Sequence, residues 1–516
     1  MKNHYVKGTV RKGEYYDSVT LMRLAQKIGE ISGVLDSAAV MASDSNKAIL
    51  ESAGMLTEEL RDSSDNDLII VLKAENQASV ENIDIDKLLT SLKSASKSQA
   101  VRAPRSLDGA LKNMPDANLA IISVAGRFAG DEARRALEAG LHVMLFSDNV
   151  SLETEIELKR YAVAKGLLLM GPDCGTAIIN GVPLGFANAV RRGDIGIVAA
   201  SGTGLQEVSC IISNNGAGIS QAIGTGSRDL GSEVGGLMFI EGIKALSDDK
   251  ATKIILLVSK PPALETLEKI APILNNVTKP IVAIFLGAEQ KDTDRIKYAK
   301  SLEGGALLAV TLSKGETDIS TLQGDSQLSN IARAEIIKLK LGQQFIRGLF
   351  SGGTFSYEAQ VLLRGMDDIY SNSPIKGNKQ LDYYLKSQKH TLIDMGADEF
   401  TVGRLHPMID FSLRKKRMIQ EATDPETAII LFDIVLGFGA NMNPLDEIAP
   451  AIEEARQVAE GRYLSFICSI TGTDNDPQNR STVMRGLKEL EIIVTESNAA
   501  ASKLARMIVE ELAGRK

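Results

Sequence analysis

Short apolar runs alternate with amphipathic stretches from about Val101 to Ser351. Because the runs are apolar throughout, they predict strands of a parallel sheet that helices cover on both faces. The predicted strands are LAIISVA (119–125), LHVMLFS (141–147) and LLLMGPDCGT (167–176). The predicted helices are GDEARRALEAG (130–140), with Asp131 as N-cap and Gly140 as its stop, and SLETEIELKRYAVAKG (151–166). The pattern therefore indicates an α/β protein.

The first hundred residues have a different pattern. A helix is predicted over SVTLMRLAQKIGEI (18–31), and strands over SAAVMAS (37–43) and DLIIVLKA (67–74), which together suggest a small α+β module. The polar segment KSASKSQAVRAPRS (93–106) is predicted to be a linker. In one interpretation, a second polar segment, TDISTLQGDSQ (317–327), separates two later domains, and the predicted helix LSNIARAEIIKLKL (328–341) connects them. The alternative is that this helix is simply a core helix.

One ordered pattern occurs twice in the chain. The first copy has a strand with a glycine turn, GIVAASGTG (196–204), a second turn, AIGTGSRD (222–229), and the strands KIILLVSKPP and KPIVAIFLGAE. The second copy has RGLFSGGTFSYEAQ (347–360), the turn LIDMGADEF (392–400), and the strands AIILFDIVLGFG and YLSFICSITGT. Four elements in the same order predict two open α/β domains of similar topology.

Each copy places Ser-Gly-Thr or Ser-Gly-Gly-Thr between a strand and a helix. Free N–H groups and the positive end of the helix dipole favour a phosphate or a carboxylate there. The alternative is that these glycines only make tight turns. Neither copy matches a P-loop or a dinucleotide fingerprint. The predicted phosphate- or substrate-binding residues of these turns are Ser201, Gly202, Thr203, Gly204, Thr225, Gly226, Ser351, Gly352, Gly353 and Thr354.

Composition narrows the function classes. A net charge of −8 and only 4% aromatic residues argue against a nucleic-acid partner. No apolar run is long enough for a membrane span, and no signal peptide is visible, so no membrane partner is expected. Three widely spaced cysteines, Cys174, Cys210 and Cys468, show neither metal-ligand spacing nor a disulfide framework. These features predict a cytoplasmic protein without a metal site.

The residues of the α/β region resemble the succinyl-CoA synthetases. Residues 119–178 resemble the CoA-binding domain of the α subunit, and residues 193–232 resemble the ligase domain that follows it. The second copy is similar to the C-terminal ligase domain of the β subunit, through DMGADE (394–399) and DIVLGFG (433–439). The order of domains and GADEFTVGRLHPMID (396–410) resemble the FdrA family.

This resemblance implies an architecture. We expect a small α+β module at 1–100, a Rossmann-like CoA-binding-type domain at 101–190, and two flavodoxin-like domains of the ligase type. The first of these, of the α-subunit type, is expected at 191–325 and the second, of the β-subunit type, at 340–516.

The residues at which this sequence differs from the synthetases affect the reaction expected of it. Their phosphorylated histidine follows the strand that corresponds to KPIVAIFLG, but the segment here, 288–310, contains no histidine. Their preceding glutamate is replaced by Ser259 and Lys260. The V-P-x-P type CoA contact is replaced by SVAGRF, and neither the glycine-rich first CoA loop nor an ATP-grasp domain is recognisable. Ligation of an acid to CoA through a phosphohistidine is therefore not expected of this chain alone.

The resemblance implies that two helix N-termini which hold the phosphoryl group in the synthetases are retained, near Ser201–Gly204 and Gly437–Asn443. FdrA-type proteins resemble a component of an oxamate carbamoyltransferase of purine and allantoin breakdown, so a carbamoyl- or acyl-phosphate transferase is the first hypothesis. The alternatives are an acyl-CoA ligase that needs a partner chain, and a non-catalytic binding or scaffold subunit. A small phosphate or carboxylate substrate, and other subunits or a homo-oligomer, are the expected partners. No cofactor is established; CoA and Mg²⁺ are the candidates.

Individual side chains supply further candidates. His406 and Arg404 are the predicted catalytic residues, as a proton relay and an anion clamp, or else form an ordinary ion-paired loop. Asp398 and Glu399 are candidates for substrate or Mg²⁺ contacts.

His142 is expected in the core, whereas His4 and His390 are expected at the surface. RKKRM (414–418) is expected to be a solvated helix face and TGTDNDPQNR (471–480) to line the crevice, while Cys174 is expected to be a packed loop residue. The remaining predicted phosphate-site residues are Gly437, Gly439, Asn441 and Asn443.

Overall fold

The computed structural model describes residues 4–14, 16, 18–64, 67–80, 83–95, 104, 106–316, 325–401 and 404–514. The chain forms two compact units. Unit 1 consists of Met1–Ala117 and Gly396–His406, and unit 2 of Asn118–Met395 and Pro407–Lys516. Most of the predicted linker at 93–106, and residues 317–324 of the predicted dividing segment, lie outside the described residues.

Unit 1 contains the predicted α+β module. Its antiparallel sheet has the order β1-β3-β2, and Leu24 and Ile28 of the first helix lie in the same core cluster as Ile70 and Leu72 of β3. A short helix over Asp398–Thr401 belongs to this unit as well. The elements are β1 (Tyr5–Arg11), α1 (Ser18–Gly29), β2 (Val34–Met41), α2 (Asp44–Ser52), α3 (Glu58–Arg61), β3 (Leu68–Ala74), a 3₁₀ turn (Gln77–Val80), α4 (Ile85–Ala95) and α5 (Leu107–Asn113).

Unit 2 begins with a Rossmann-like parallel sheet of order β4-β5-β6. The prediction that Asp131 caps a helix was wrong, because that helix already begins at Gly126 and Asp131 lies in its second turn. Gly140, with φ 80°, follows the C-cap and ends the helix as expected. The elements are β4 (Leu119–Ile122), α6 (Gly126–Glu138), β5 (His142–Leu145), α7 (Leu152–Lys165) and β6 (Leu169–Met170).

The first copy of the repeat forms a seven-stranded sheet of order β13-β12-β11-β9-β10-β7-β8. Its first five strands are parallel, and the antiparallel pair β7-β8 extends one edge. The elements are β7 (Thr176–Ile179), β8 (Val182–Gly185), β9 (Arg192–Ala199), α8 (Gly202–Asn214), β10 (Ile219–Gly224), α9 (Leu237–Asp248), β11 (Ile254–Ser259), α10 (Leu264–Asn276), β12 (Ile281–Phe285), β13 (Ile296–Tyr298) and α11 (Leu302–Ser313).

The second copy forms a parallel sheet of order β16-β15-β17-β14-β18-β19-β20. Before it, a helix buries Ala332 and Ile336 in the core, as the core-helix alternative expects. The elements are α12 (Asp325–Lys338), β14 (Phe345–Phe350), α13 (Gly353–Leu362), β15 (Ile369–Ser371), β16 (Lys379–Gln380), β17 (His390–Asp394), α15 (Ser412–Thr423), β18 (Thr427–Val435), α16 (Pro444–Val458), β19 (Ser465–Thr471), α17 (Arg480–Glu489), β20 (Ile493–Thr495) and α18 (Asn498–Ala513). The helix between β17 and α15 in the chain, α14 (Asp398–Thr401), belongs to unit 1.

The two copies share one topology. The central strands are β10-β9-β11-β12-β13 in the first and β17-β14-β18-β19-β20 in the second, which in both is the flavodoxin-like order 2-1-3-4-5. The predicted pair of flavodoxin-like domains is confirmed. One hydrophobic cluster contains Leu205 and Val208 of the first copy together with Ala359 and Leu504 of the second. The two copies therefore share a core within unit 2.

Candidate functional site

The N-termini of α8 and α13 meet at one point of unit 2. Ser201 is the N-cap of α8, and its Oγ accepts a hydrogen bond from the backbone N–H of Gly204 at 2.9 Å. The same Oγ lies 2.6 Å from Oγ1 of Thr354, in the first turn of α13. Because first-turn N–H groups have no partner within their helix, two positive helix ends converge here. We call this arrangement the helix junction.

The helix junction is nearly symmetric. Ser201 and Gly352 are the two N-caps, and Thr203 and Thr354 each follow two positions later. A Cβ at residue 352 would lie 2.3 Å from Cγ2 of Thr203, so the second copy needs glycine where the first has serine. This close approach gives the second glycine turn a packing reason as well as the predicted anion-binding reason.

Two charged side chains lie at the same place. A Cβ on Gly353 would lie 2.6 Å from Oδ2 of Asp394, at the end of β17, and 3.4 Å from Nζ of Lys260, directly after β11. The Lys260 ammonium also lies 5.5 Å from the ring centre of Tyr357. The carboxyl ends of strands from both copies therefore direct charged groups to the helix junction, as expected for open α/β sheets.

Ser351 has a structural partner. Its N–H donates to Oδ1 of the buried Asp433 at 2.7 Å, and its hydroxyl bonds to Oδ2 of the same carboxylate. The backbone carbonyl of Asp433 accepts from the guanidinium of Arg414, which also donates to the carbonyl of Pro407. The prediction of a solvated face for RKKRM was therefore wrong, because Arg414 and Arg417 are buried and satisfied by carbonyl and carboxylate oxygens.

Two buried glutamates link the copies below the helix junction. Glu207 of α8 accepts from the N–H of Asn498, at the start of α18, at 2.9 Å. Glu358 of α13 accepts from the N–H of Leu302, at the start of α11, at 2.7 Å, and from Nδ2 of Asn498 at 2.8 Å. Each glutamate thus caps the last helix of the other copy. Burial raises the pKa of each carboxyl to about 7.

The predicted residues Thr225 and Gly226 belong to a turn that carries buried charge. The Thr225 carbonyl accepts from Nζ of Lys159 at 2.9 Å, and this ammonium also contacts Glu155 at 2.8 Å and Asp229 at 2.7 Å. The Lys159 side chain is fully buried. The contacts place this turn in a structural ion cluster that joins α7 of the Rossmann-like part to the first copy.

The segment that carries Gly437, Gly439, Asn441 and Asn443 packs against the connection between β8 and β9. A Cβ at Gly437 would lie 2.6 Å from the carbonyl of Ala187, and one at Gly439 would lie 2.9 Å from the ring of Phe186. Asn443 is the N-cap of α16. The resemblance had paired this segment with Ser201–Gly204. The N-terminus of α13 also contacts that of α8, and the pairing of Gly437–Asn443 with Ser201–Gly204 stays a prediction.

Side chains of the predicted crevice loop hold this segment. Gln478 donates to the carbonyls of Gly437 and Asn441, and its Oε1 accepts from the N–H of Gly437. The neighbouring Asp476 accepts from Nδ2 of Asn188 at 2.9 Å and from the N–H of Ala189 at 2.7 Å. The loop therefore fixes backbone rather than presenting all of its polar groups to a crevice.

Arg404, His406, Asp398 and Glu399 belong to unit 1. The Arg404 guanidinium forms an ion pair of 2.6 Å with Asp36 on β2. His406 is half-buried. Asp398 and Glu399 lie in the first turn of α14. In the described part of the chain, no group of three or more His, Cys, Asp or Glu residues is arranged to hold a metal ion.

The described histidines of unit 2 have structural roles. Nδ1 of His142 accepts from the N–H of Leu168 at 2.9 Å, as expected of a core histidine. The expectation that His390 is exposed was wrong, because its Nδ1 accepts from the N–H of Ile346 and its ring packs edge-on against Phe345. Burial lowers the pKa of His390 to about 4. Exposed His4 fits its expectation.

The buried Cys174 packs against the Gly224 carbonyl, and burial raises its pKa to about 12, which excludes a reactive thiolate.

Sequence reasoning missed several residues of the site. Glu207 and Glu358 each stand six positions after their N-cap, so aligning SGTGLQE with GGTFSYE pairs them. Asn498, 140 residues from Glu358, has no such signal. Asp394 is the first residue of the DMGADE turn, but the sequence analysis did not predict a role for it.

Within the described residues, no helix is both long and apolar enough to cross a membrane.

Family models match three parts of the chain, and the match to the CoA binding domain falls on the first flavodoxin-like copy, not on the Rossmann-like part expected at 101–190. Residues 349–508 match the family model for CoA-ligase, residues 190–287 that for the CoA binding domain, and residues 1–105 that for the AllF, heavy metal-associated domain. Residues 1–105 contain no cysteine, and with no described metal-holding group the first module does not fit a heavy metal.

The relatives extend this result. The α subunit of the ADP-forming succinate–CoA ligase of Staphylococcus aureus (strain Mu50) is 27% identical over 217 residues, which are 41% of this chain and 68% of that protein. The solved structure of PH0766 from Pyrococcus horikoshii OT3 is 17% identical, with a TM-score of 0.30, and covers 81% of this chain and 88% of its own. The protein YahF of Escherichia coli (strain K12) is 41% identical over 514 residues, which are 98% of both chains. The chain belongs to the family of YahF, with the CoA-binding and ligase domains of the succinyl-CoA synthetases.

Proposed function

We propose that this chain is the FdrA-type component of a carbamoyltransferase that interconverts oxalurate and phosphate with oxamate and carbamoyl phosphate. The observation that carries the proposal is the helix junction, where Ser201 and Thr354 bring the N-termini of α8 and α13 together. Two helix dipoles, hydroxyl groups and the Lys260 ammonium favour a phosphate at this point.

The positions of the histidines support a reaction without a phosphohistidine. His142 and His390 stand at the first residues of β5 and β17, whereas Asp394, at the helix junction, ends β17. Four residue steps of extended strand separate His390 from Asp394 by roughly 13 Å. Both imidazoles already accept a backbone N–H through Nδ1. The distance of His390 from the helix junction supports a phosphoryl group that belongs to a substrate.

The proposed reaction balances without a nucleotide. A phosphate oxygen attacks the terminal carbamoyl carbon of oxalurate, the bond from that carbon to the shared nitrogen breaks, and the nitrogen takes up a proton to become the amide of oxamate. The reverse reaction transfers the carbamoyl group from carbamoyl phosphate to that amide. Helix N-termini stabilise the phosphate in both directions, because its charge develops or is retained there.

The alternative is a CoA ligase that works with a partner chain. The matches of residues 190–287 and 349–508 to CoA-binding and CoA-ligase models favour it. It requires the partner to supply the nucleotide site and the phosphoryl carrier.

A second alternative is a non-catalytic scaffold subunit. It would bind a ligand without turnover, whichever partner subunits are added.

Calorimetric titration of the full chain with carbamoyl phosphate, phosphate and CoA in parallel tests these alternatives. Binding of carbamoyl phosphate and phosphate, but not CoA, supports the carbamoyl-transfer proposal. Formation of carbamoyl phosphate from oxalurate and phosphate, by the chain with its co-purified subunits, then tests turnover. Tight CoA binding with no affinity for carbamoyl phosphate would favour the ligase.

A further inference from the structure

Glu207 and Glu358 lie on the two helices whose N-termini form the helix junction. Each stands six positions after its N-cap, which is Ser201 in α8 and Gly352 in α13. Six positions place each glutamate roughly 9 Å along its helix axis from the junction. Both side chains are buried. A charge on either carboxyl is therefore held inside the protein, close to the place where the proposed function puts an anion.

No cation accompanies these two carboxyl groups in the part of the chain that the structure describes. Their hydrogen-bond donors are two backbone N–H groups, the Thr471 hydroxyl and the Asn498 amide. Neither carboxyl forms an ion pair with a described residue. Glu303 in α11 acts on both carboxyls and Asp433 in β18 on one of them, and these neighbours are acidic as well. Because a buried carboxylate without a cation is costly, each group favours the uptake of a proton.

The carboxyls change their charge near neutral pH. Burial raises the pKa of Glu207 and of Glu358 from 4.5 to about 7, and the acidic neighbours act in the same direction. The Cys210 thiol lies one turn after Glu207 in α8, and burial raises its pKa well above the ordinary value, so it stays neutral over this range. A change of charge in this part of the core near pH 7 therefore belongs to the two glutamates.

Asn498 gives an indication of a proton that does not depend on a pKa. Its side chain is fully buried, and its Nδ2 donates to Glu358 at 2.8 Å. The Oδ1 of the same amide has no hydrogen-bond partner among the described residues. Buried amide oxygens normally accept a hydrogen bond, and a protonated carboxyl is a donor. Protonation of Glu358 would supply a donor at this amide.

The charge of these carboxyls affects an anion at the helix junction. The positive ends of α8 and α13 attract the anion, whereas a carboxylate behind either of them repels it. At roughly 9 Å and an effective dielectric constant of about 20, one such charge weakens the binding of an anion by about tenfold. A carboxyl that carries its proton exerts no such repulsion.

We propose that Glu207 and Glu358 regulate anion binding at the helix junction through their protons. The junction binds an anion tightly while both carboxyls are protonated, and it releases the anion when they ionise. The inference rests on the proposed function, which places an anion at the junction, and adds the regulation of that site. Because linkage is reciprocal, binding of the anion should also draw protons onto the carboxyls.

Calorimetric titration of the full chain with sodium sulfate at constant ionic strength tests the proposal. Sulfate is the probe because it keeps the same charge throughout the range, whereas phosphate changes its own protonation there. We expect the affinity of the wild type to fall by about tenfold or more between about pH 6 and about pH 8. The double variant Glu207→Gln/Glu358→Gln should stay within about threefold over the same range, because glutamine does not ionise.

A second readout is the number of protons taken up with the anion. Titrations near neutral pH in two buffers of different ionisation enthalpy give this number. We expect net uptake by the wild type and none by the double variant. The matched control is Glu489→Gln, which removes an exposed carboxylate of α17 and should keep both the pH dependence and the proton uptake of the wild type. Circular dichroism and thermal unfolding establish that each variant is folded.

Three results would overturn the proposal. The first is a wild type whose sulfate affinity does not change with pH, or that binds no sulfate even at the acidic end of the range. The second is a folded double variant that keeps the pH dependence of the wild type. The third is anion binding by the wild type without proton uptake.

The carbamoyl-transfer assay separates this inference from the proposed function. If the wild type transfers carbamoyl groups while the double variant keeps the pH dependence of sulfate binding, only the regulation is wrong. If sulfate binding follows the protonation of the two glutamates but no transfer occurs with oxamate, only the proposed reaction is wrong.

Discussion

The hydroxyl oxygens of Ser201 and Thr354 lie 2.6 Å apart, although 153 residues separate them in the chain. Ser201 caps α8 in the first copy of the repeat, and Thr354 lies in the first turn of α13 in the second. This single contact joins the two copies at the place where both present unpaired backbone N–H groups. The contact thereby brings the N-termini of α8 and α13 to one point of unit 2.

A double-mutant cycle measures this contact. Thr354→Val removes only the shared hydrogen bond and should cost about 1 kcal/mol of unfolding free energy. Ser201→Ala also removes the cap on Gly204 and should cost about 1–2 kcal/mol. The double variant should be less destabilised than the sum of the two, which urea unfolding can resolve. Strict additivity would contradict a direct interaction between the two side chains.

Gly352→Ala should destabilise the chain by about 1–3 kcal/mol and weaken phosphate binding, because its Cβ would collide with Thr203. Gly202→Ala is the matched control, since it lies at the start of α8 and its Cβ would meet only Thr176 Oγ1, at 3.8 Å. We expect that control to keep its stability. Equal stability of the two variants in thermal unfolding would argue against the close packing of the helix junction.

The buried glutamates predict a dependence of stability on pH. Glu207 and Glu358 have pKa values raised from 4.5 to about 7, so between these values the folded chain holds protons that the unfolded chain has released. Stability should therefore fall as pH rises from 4.5 to about 7, by a few kcal/mol in total, and change little above that range from this cause.

Glu358→Gln should flatten the decline of stability between pH 4.5 and 7, measured by urea unfolding at several pH values. Glu489→Gln removes an exposed carboxylate of α17 and serves as the control, with an unchanged profile expected. A Glu358→Gln profile parallel to that of wild type would show that this carboxyl is ionised in the folded chain throughout the range.

Lys159→Met should cost about 3–5 kcal/mol, because it leaves Glu155 and Asp229 buried without their shared cation. Lys165→Met, at the exposed end of the same helix, should change stability by less than about 1 kcal/mol. Differential scanning calorimetry at low and high salt distinguishes the two. A small effect of Lys159→Met would mean that the two carboxyls become protonated at little cost.

Arg404→Ala tests the predicted catalytic role of this residue. If Arg404 binds the substrate, the variant should lose carbamoyl-phosphate affinity by about tenfold or more while staying folded. Asp36→Ala breaks the same ion pair from the other side and should keep the affinity. Titration calorimetry of both variants decides the matter, since unchanged affinity in Arg404→Ala would limit this arginine to its pair with Asp36.

The sequence by itself determined the architecture of this protein. Alternating apolar strands and helices, and the pattern that recurs after Gly196 and Arg347, predicted two open α/β copies, because strand period and turn chemistry are local properties. The two glycine turns could also be predicted from the sequence, because Ser, Gly and Thr before a helix act through local backbone preferences.

Only the tertiary structure decided which of these turns meet and which charges accompany them. It brought Thr354 to Ser201, Lys260 and Asp394 to Gly353, and Gly437 to Ala187. It also buried Arg414 and half-buried His390, although arginine and histidine are residue types that are mostly found in contact with solvent. The physical reason is that packing between copies depends on contacts across more than a hundred residues, whereas a sequence pattern reports only the preferences of neighbours.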